Sequence, residues 1–318
     1  MGDAADQGDK RRDEAAKAAW LYFIGGRTQD DIAKQLDLSR QAVQRLVSFA
    51  VSEKLVKFRL DHPIASCMAI ANRIADCFAL DFCDVIPTDQ TSPSSSAGIA
   101  VATALRLNRL LASKAPIIIG VGTGRTLRAA VDELDMLERP QHKVISLVGN
   151  MAADGRASPY EVAMRLADKI GAQRYPMPAP VLTETAEERE AIQGQRSFAI
   201  LRELRAQARA SFFGIGAIGW QAPLHKDGFV SDAEISTLIE EGAVGEIIGW
   251  PFDMSGRRVE TPIYDRVASL ELEIPPQRMT VVVGCGAHKV PPLKAALTGG
   301  LVSALITDEA TANELLAS

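Results

Sequence analysis

The sequence predicts an α/β chain in two unequal parts: an N-terminal helix-turn-helix with a wing, followed by a larger, mostly parallel α/β domain. Three observations predict it. A length of 318 residues exceeds what one hydrophobic core usually serves. Charge is unevenly placed, because Arg27–Arg59 carries seven basic and four acidic residues, a local +3, in a chain whose net charge is −5. Beyond residue 80, short β-rich runs alternate with stretches of helical periodicity. A small basic module on an acidic body suits a protein that meets phosphates at one end only.

With 47% hydrophobic and 24% charged residues, the composition is that of a globular protein. Residues 1–12 are polar and charged and are expected to form a disordered tail. They lack the apolar core of a signal peptide. The longest apolar runs, Ala115–Ile119 and Thr280–Val283, are too short to cross a bilayer, so a cytoplasmic protein with no membrane contact is expected. Cys67, Cys77, Cys83 and Cys285 form no CxxC pair and read as buried or inert thiols. His62, His142, His225 and His288 are scattered without paired spacing, so neither a metal nor another cofactor is expected.

The helix-turn-helix is expected over residues 13–60. Asp13–Ile24 has helical spacing through Ala15, Ala18, Ala19, Leu21, Tyr22 and Phe23, and Gly25-Gly26 stops it. Thr28 caps a second helix whose first turn carries Asp30 and Asp31, where the helix dipole favours negative charge. The tight Asp37-Leu38-Ser39 connection, whose Ser39 can act as cap, leads to a third helix, Arg40 to about Lys54, with Ala42, Val43, Leu46, Val47 and Ala50 turned inward. Its outward face carries Arg40, Gln41, Gln44 and Arg45, which are the candidate base readers, since Arg pairs bidentately with guanine and Gln with adenine. Thr28, Ser39, Ser48 and Lys54 are placed to anchor phosphates. Val56–Leu60 is expected to add a strand, the wing.

The larger part, 61–318, opens with a helix over Ile64–Ala79. Strands are expected at Asp84–Pro87, Pro116–Val121, Lys143–Val148, Ala210–Gly214, Glu246–Gly249, Thr280–Gly284 and Leu301–Ile306. Helices are expected at Ser95–Ser113, Arg125–Leu137, Pro159–Ile170, Phe198–Arg209, Pro291–Leu297 and Asp308–Leu316. Such alternation implies a parallel sheet covered on both faces, with ligands at the carboxyl ends of its strands.

Several segments fall at those ends. Gly120-Val-Gly-Thr-Gly-Arg-Thr126 follows an Ile-rich strand and opens a helix, so Gly122, Thr123, Gly124, Arg125 and Thr126 can present backbone N–H groups and hydroxyls to an anion. It is neither a Walker loop nor a dinucleotide fingerprint. Asn150 follows the next strand and can bond hydroxyls. Gly214-Ile-Gly-Ala-Ile-Gly219 is a second glycine-rich exit, readable equally as close backbone packing. Glu246 and Asp253 offer carboxylates to sugar hydroxyls. Gly284-Cys-Gly-Ala-His-Lys289 sets Lys289 at a further strand exit, where its ammonium can neutralise a phosphate.

Taken in order, the Tyr22–Ala33 run, the Gly122–Thr126 loop, Gly214-Ile-Gly216, Gly245-Glu246 through Phe252-Asp253 and the Lys289–Ala312 stretch resemble the SorC/DeoR-type family of sugar-binding transcriptional regulators. The resemblance implies an effector domain with the fold of sugar-phosphate isomerases, used for sensing a sugar, polyol or sugar phosphate. It also implies double-stranded operator DNA as partner, and assembly as a homodimer or homotetramer. Effector contacts would come from Gly122–Thr126, Asn150, Glu246, Asp253 and Lys289. The chain departs from the family's frequent basic residue after the third strand by carrying Asn150. The competing expectation is a phosphosugar isomerase or deaminase with an attached DNA module, in which Glu246, Asp253 or Lys289 serves as general base.

Overall fold

The computed structural model describes residues 3–56, 65–88, 96–149, 151, 156 and 161–317. The chain divides into two compact units, Met1–His62 and Pro63–Ser318.

Three helices make up the described part of the first unit: α1 (Asp3–Phe23), α2 (Gln29–Leu36) and α3 (Arg40–Ser52). Thr28 caps α2 by accepting the Asp31 N–H, and Ser39 caps α3 by accepting that of Ala42. Between them Asp37 takes the left-handed conformation that turns the chain sharply (φ 53°). Ala18, Leu21, Ile32, Ala33, Val43 and Val47 form the core, and Ala15, Ala19 and Ala50 extend it where α1 lies on α3. The expected tail is corrected: α1 begins at Asp3 rather than Asp13. A physical reason lies in Arg11, whose guanidinium rests 4.5 Å from the centre of the Phe49 ring on α3 and ties the extra turns to the bundle. The expected wing lies almost wholly outside the described residues.

The second unit runs, in chain order, α4 (Ala65–Cys77), β1 (Phe82–Ile86), α5 (Ser96–Leu111), β2 (Ile118–Val121), α6 (Arg125–Asp132), β3 (Lys143–Ser146), α7 (Ala163–Ile170), β4 (Gln173–Tyr175), α8 (Ala186–Gln193), α9 (Arg196–Ala206), β5 (Ala210–Gly214), β6 (Gly216–Ala217), α10 (Pro223–Lys226), α11 (Asp232–Glu240), β7 (Gly245–Ile247), β8 (Trp250–Phe252), β9 (Met279–Val283), α12 (Val290–Thr298), β10 (Ala304–Asp308) and α13 (Glu309–Ala317). Seven strands form one sheet in the order β1-β10-β9-β5-β2-β3-β4, and every described pairing in it is parallel. Two apolar layers cover its faces. One gathers Ile99, Leu107, Ile119, Leu127, Val144 and Phe212; the other gathers Ile74, Ile145, Phe198, Phe213, Val282 and Leu305. The residues of the buried strands alternate between these layers, as the two-residue period requires.

The expected strand at Glu246–Gly249 is corrected. Only Gly245–Ile247 is strand, and it belongs to a separate three-stranded antiparallel sheet, β6-β7-β8. Ile247 pairs with Trp250, so Ile248-Gly249 is a two-residue hairpin turn with positive φ at both positions (48° and 87°). The expected helix from Arg125 ends at Asp132, not Leu137. Of the thiols, Cys67 is buried, while burial pushes Cys83 up to about 12 and Cys285 up to about 11; Cys77 departs from expectation by being exposed. His142 is wholly buried, its Nδ1 accepting the Ile117 N–H at 3.3 Å, a structural role.

Candidate functional site

Going from β2 the chain builds β3 and β4 on one side, then returns to place β5 on the other side of β2. That reversal is a topological switch point, and the carboxyl ends of the strands flanking it open a crevice. A cavity of about 510 Å³ lies there, within the range of small-molecule sites. Four neighbouring strands feed it: Thr123–Thr126 follow β2, Val148-Gly149 follow β3, Gly214 ends β5 with Ile215-Gly216 after it, and Gly284–Gly286 with His288 and Lys289 follow β9. Glu246 and the Ile248-Gly249 turn form another wall. Pro223, Leu224, Asp227 and Phe229 close the remaining side.

The glycines shape this space in two ways. Gly124 is the N-cap of α6 at φ 138°, a conformation costly for any residue with a Cβ, and it supplies no side chain to cap the helix. The first turn of α6 lines the cavity through Arg125, Thr126 and Leu127, and its N–H groups carry no side-chain cap, an arrangement in which a helix N-terminus favours an anion. Gly216 acts by absence: a Cβ there would fall 1.9 Å from Glu246 Oε1, so only glycine leaves room for that carboxylate.

Glu246 accepts the Gly249 N–H at 2.7 Å, which fixes one carboxylate oxygen across the base of the hairpin turn. Burial pushes its pKa above the ordinary carboxylate value, opposed by the Gly249 hydrogen bond and by the Lys289 charge. Lys289 donates from Nζ to the Ile215 carbonyl at 2.6 Å. Burial pulls its pKa below the usual lysine value; Glu246 opposes this and the Arg125 charge adds to it. His288 is likewise held below the usual histidine value, first by burial and then by the Lys289 and Arg125 charges. The site thus joins a positively charged corner, in which His288 favours neutrality, to carboxylates that accept hydrogen bonds. Such a pairing suits a ligand with an anionic end and a hydroxylated body.

Of the residues expected at the site, Thr123, Gly124, Arg125, Thr126, Glu246 and Lys289 are brought together on the cavity wall. Gly122 stands behind the wall, where a Cβ would meet Ile248 Cγ2 at 2.9 Å. Asp253 is not on the wall. Its Oδ1 accepts from Ser255 N, Ser255 Oγ and Arg257 N at 2.8, 2.6 and 2.9 Å, and these bonds hold its pKa low while organising a tight turn around Gly256. Asn150 lies outside the described residues. Sequence reasoning missed Asp227, Phe229, Ile248 and His288, although the last of these belongs to the Gly284–Lys289 strand exit, where the glycines are a signal that could have found it. The first unit places Arg40, Gln41, Gln44, Arg45 and Ser48 on one exposed face of α3, with Thr28, Ser39 and Lys54 also exposed. An ion pair of 3.7 Å links Arg40 to Asp30 across α2 and α3.

Residues 62–317 match the Sugar-bind family model, a sugar-binding domain. Over 304 residues, 95% of this chain and 96% of the other, the sequence is 34% identical to the erythritol catabolism regulatory protein EryD of Brucella abortus (strain 2308). The chain belongs to the SorC-type family of sugar-binding transcriptional regulators. Like other SorC-type proteins it is a transcriptional regulator with a sugar-binding domain. A second relative, the deoxyribonucleoside regulator of Bacillus subtilis (strain 168), is 27% identical over 94% of this chain and 96% of its own. In fold, the chain is similar to the full-length sorbitol operon regulator SorC of Klebsiella pneumoniae, with a TM-score of 0.75 over 95% of this chain and 97% of that one, at 22% identity. These relatives are named as regulators, which favours the sensing reading over the enzymatic one. Among the described residues no helix is long and apolar enough to cross a membrane, and no group of three or more His, Cys, Asp or Glu is placed to hold a metal.

Proposed function

We propose that this SorC-type regulator controls a carbohydrate or polyol catabolic operon from the cytoplasm, and that a sugar, polyol or sugar-phosphate effector bound in the cavity switches its hold on operator DNA. The observation that carries this reading is the convergence of the α6 N-terminus, Arg125, Thr126 and Lys289 with the Glu246 carboxylate in one cavity of a sugar-binding domain. The kinship to an erythritol catabolism regulator favours a polyol or its phosphate. In this reading the cationic corner takes the anionic end of the effector, Glu246 takes a hydroxyl, and the domain binds without turnover.

On DNA, Arg40, Gln41, Gln44 and Arg45 read base edges in the major groove while Thr28, Ser39, Ser48 and Lys54 hold phosphates. A homodimer or homotetramer presents such modules to paired half-sites, and an effector that binds one arrangement of the assembly better than another shifts it between DNA-competent and incompetent forms. The test is a thermal-shift screen against matched free and phosphorylated sugars and polyols, followed by operator gel shifts with the hits. A stabilising phosphorylated compound whose effect disappears in Thr126→Ala or Lys289→Ala, and which changes operator binding, is the expected result. Stabilisation only by free polyols would remove the phosphate from the reading; measurable isomerase or deaminase turnover would overturn the sensor.

A further inference from the structure

His288 lines the cavity beside Cys285, Gly286 and Lys289, at the glycine-rich exit of β9. It sits in the 3-10 turn Ala287–Lys289, which the Lys289 N–H closes onto the Gly286 carbonyl at 2.8 Å, while the Gly286 N–H is held by the Thr311 hydroxyl at 2.8 Å. The imidazole folds back over that exit. A Cβ on Gly286 would meet its Nδ1 and Cε1 at 3.3 Å, so the ring rests against a residue that is itself part of the cavity wall. Its polar atoms differ in status from those around it. Lys289 Nζ already donates to the Ile215 carbonyl, and Glu246 already accepts from the Gly249 N–H. His288 is exposed, and neither ring nitrogen has a hydrogen-bond partner among the described residues.

The ring also stands among the cations of the site. Partial burial first, then the charges of Lys289 and of Arg125, hold its pKa below the usual histidine value. Lys289 is its neighbour in the chain, whereas Arg125 comes from the β2 exit and acts on Lys289 as well, so the three groups form one cluster fed by two strands. The other titratable groups nearby leave the ring alone. Of the elements packed on its turn, β6 has none, α12 carries Lys294 and α13 carries Glu309 and Glu314, and none of these acts on the imidazole. Asp308 is engaged by Thr88 and Thr311, and the Cys285 thiol, pushed up to about 11, is uncharged at neutral pH.

A neutral ring beside two fixed cations is an anion site with one partner still unpaired. A phosphate monoester carries about −1.5 to −2 at pH 7. Placed in this corner it cancels the two charges that keep a proton off His288 and substitutes an attraction, and an opposite charge in contact is enough to carry an imidazole across neutral pH. We propose that His288 is a further binding residue of the effector site, its imidazole hydrogen-bonding the phosphate end of the effector alongside Arg125 and Lys289 and taking a proton from solution as the complex forms. No bond of the ligand breaks; the proton comes from the buffer and stays on the ring. This rests on the effector reading proposed above and deepens it, because it gives the phosphate a third partner and links its capture to pH.

The experiment is calorimetric titration of the full-length protein, His288→Gln and His288→Asn with erythritol, erythritol 4-phosphate, ribitol and ribitol 5-phosphate at neutral pH, in Pipes and in Tris, whose different ionisation enthalpies count the protons exchanged. With the phosphate ester that binds, the native protein should take up about half a proton more than His288→Gln, and the variant should bind about 10- to 100-fold more weakly, as expected for a hydrogen bond between charged groups. Protons exchanged at Glu246 or Lys289 are common to both proteins and cancel in the difference. Equal affinity and equal uptake in folded His288→Gln overturn the inference alone, as they do in His288→Asn if the glutamine variant does not fold. Weaker binding with unchanged uptake also overturns it, because it would make His288 a support of the wall and not a partner of the phosphate. Binding of a free polyol but of neither ester overturns this inference together with the phosphate in the reading beneath it, and failure to bind any of the four compounds overturns it together with the polyol reading.

Discussion

Gly216→Ala should disable Glu246 without touching any ligand. The added methyl would sit 1.9 Å from Glu246 Oε1, 2.7 Å from its carboxyl carbon and 2.9 Å from Cγ, so the whole end of the side chain must leave its place. On leaving, it surrenders the 2.7 Å bond from the Gly249 N–H. A hydrogen bond to a charged group contributes about 1.5–3 kcal/mol, and replacing glycine by alanine returns about 0.4–1 kcal/mol by restricting the unfolded chain. The net loss is about 1.5 kcal/mol, or roughly 3–6 °C in melting temperature for a domain of this size. The assay is thermal melting of native protein, Gly216→Ala, Glu246→Ala and the double variant, each with and without effector. If Glu246 is the obstacle, Gly216→Ala becomes neutral or stabilising once Glu246 is alanine, a coupling of about 2 kcal/mol. Additive losses in the double variant would refute the reasoning, because they would show that the cost of the methyl does not arise from Glu246.

Ile248 is a β-branched residue at φ 48°, buried at 4% exposure, in a turn that favours Asn or Gly; Ile248→Gly should therefore be more stable than Ile248→Ala by about 1 kcal/mol in denaturant melts, the reverse of the usual order. Burial raises the Glu246 pKa, so the native state holds its proton more tightly than the unfolded chain and stability falls as pH rises through and above the ordinary carboxylate value. Glu246→Gln should accordingly gain on the native protein as pH is raised from about 4 to about 7 in melting experiments, and the two should respond to pH alike below that range. The Asp232 hydrogen bond and then the Trp220 carbonyl raise the His225 pKa, so the brace on residues 219–230 is fully present below the ordinary histidine value and is lost as pH rises through the raised one; amide protection in that segment, exchange relative to the intrinsic rate at each pH, should fall across that window, and His225→Gln should remove that fall. Arg40→Ala and Gln44→Ala should each weaken operator binding by about 1–3 kcal/mol in gel shifts at fixed salt, with Lys54→Ala instead lowering affinity for all sequences and flattening the salt dependence.

Regular, locally coded features were legible in the sequence. Thr28 and Ser39 cap helices because a hydroxyl three residues before a free N–H is a local arrangement, and both caps form as expected. The Ile- and Val-rich runs become buried parallel strands because only that setting covers both faces of such a run. The residues at their exits converge because parallel strands all end on one side. What escaped was coded non-locally. Asp253 and Glu246 look alike in sequence, each a carboxylate near a turn; only the fold shows Ser255 and Arg257 occupying one while Gly216 clears space for the other. Glu246–Gly249 reads as one more strand of the main sheet, and the two positive φ values that break it fall partly on an isoleucine, which no propensity would have chosen. Asp227 and Phe229 flank Gly228, whose positive φ marks a turn but not what the turn borders, so nothing short of the folded chain brings them to the cavity.

The features that lower the stability of the empty domain gather at one place. Burial disfavours the charge on Glu246 and on Lys289, Asp227 carries an unpaired oxygen, and Ile248 holds a left-handed backbone; all four line the same cavity. A ligand that pairs with the Glu246 carboxylate and the Lys289 ammonium relieves the first two of these costs, so its binding free energy and the stability of the surrounding elements are linked. Those elements come from both sides of the switch point, from the β7-β8 hairpin and from the segment after β6, and the two sheets they belong to share no strand pairing among the described residues. The two sheets share an apolar core, Phe213 and Val282 of one with Ile247 and Phe252 of the other, so a ligand bridging them adds a polar link between elements already joined by packing. Reversal of the stability order in Ile248→Gly, together with a gain in unliganded stability for Lys289→Met at neutral pH, would be the sign of such stored cost. It should come with loss of the effector-induced shift, since the same groups that burden the empty site are the ones the ligand uses.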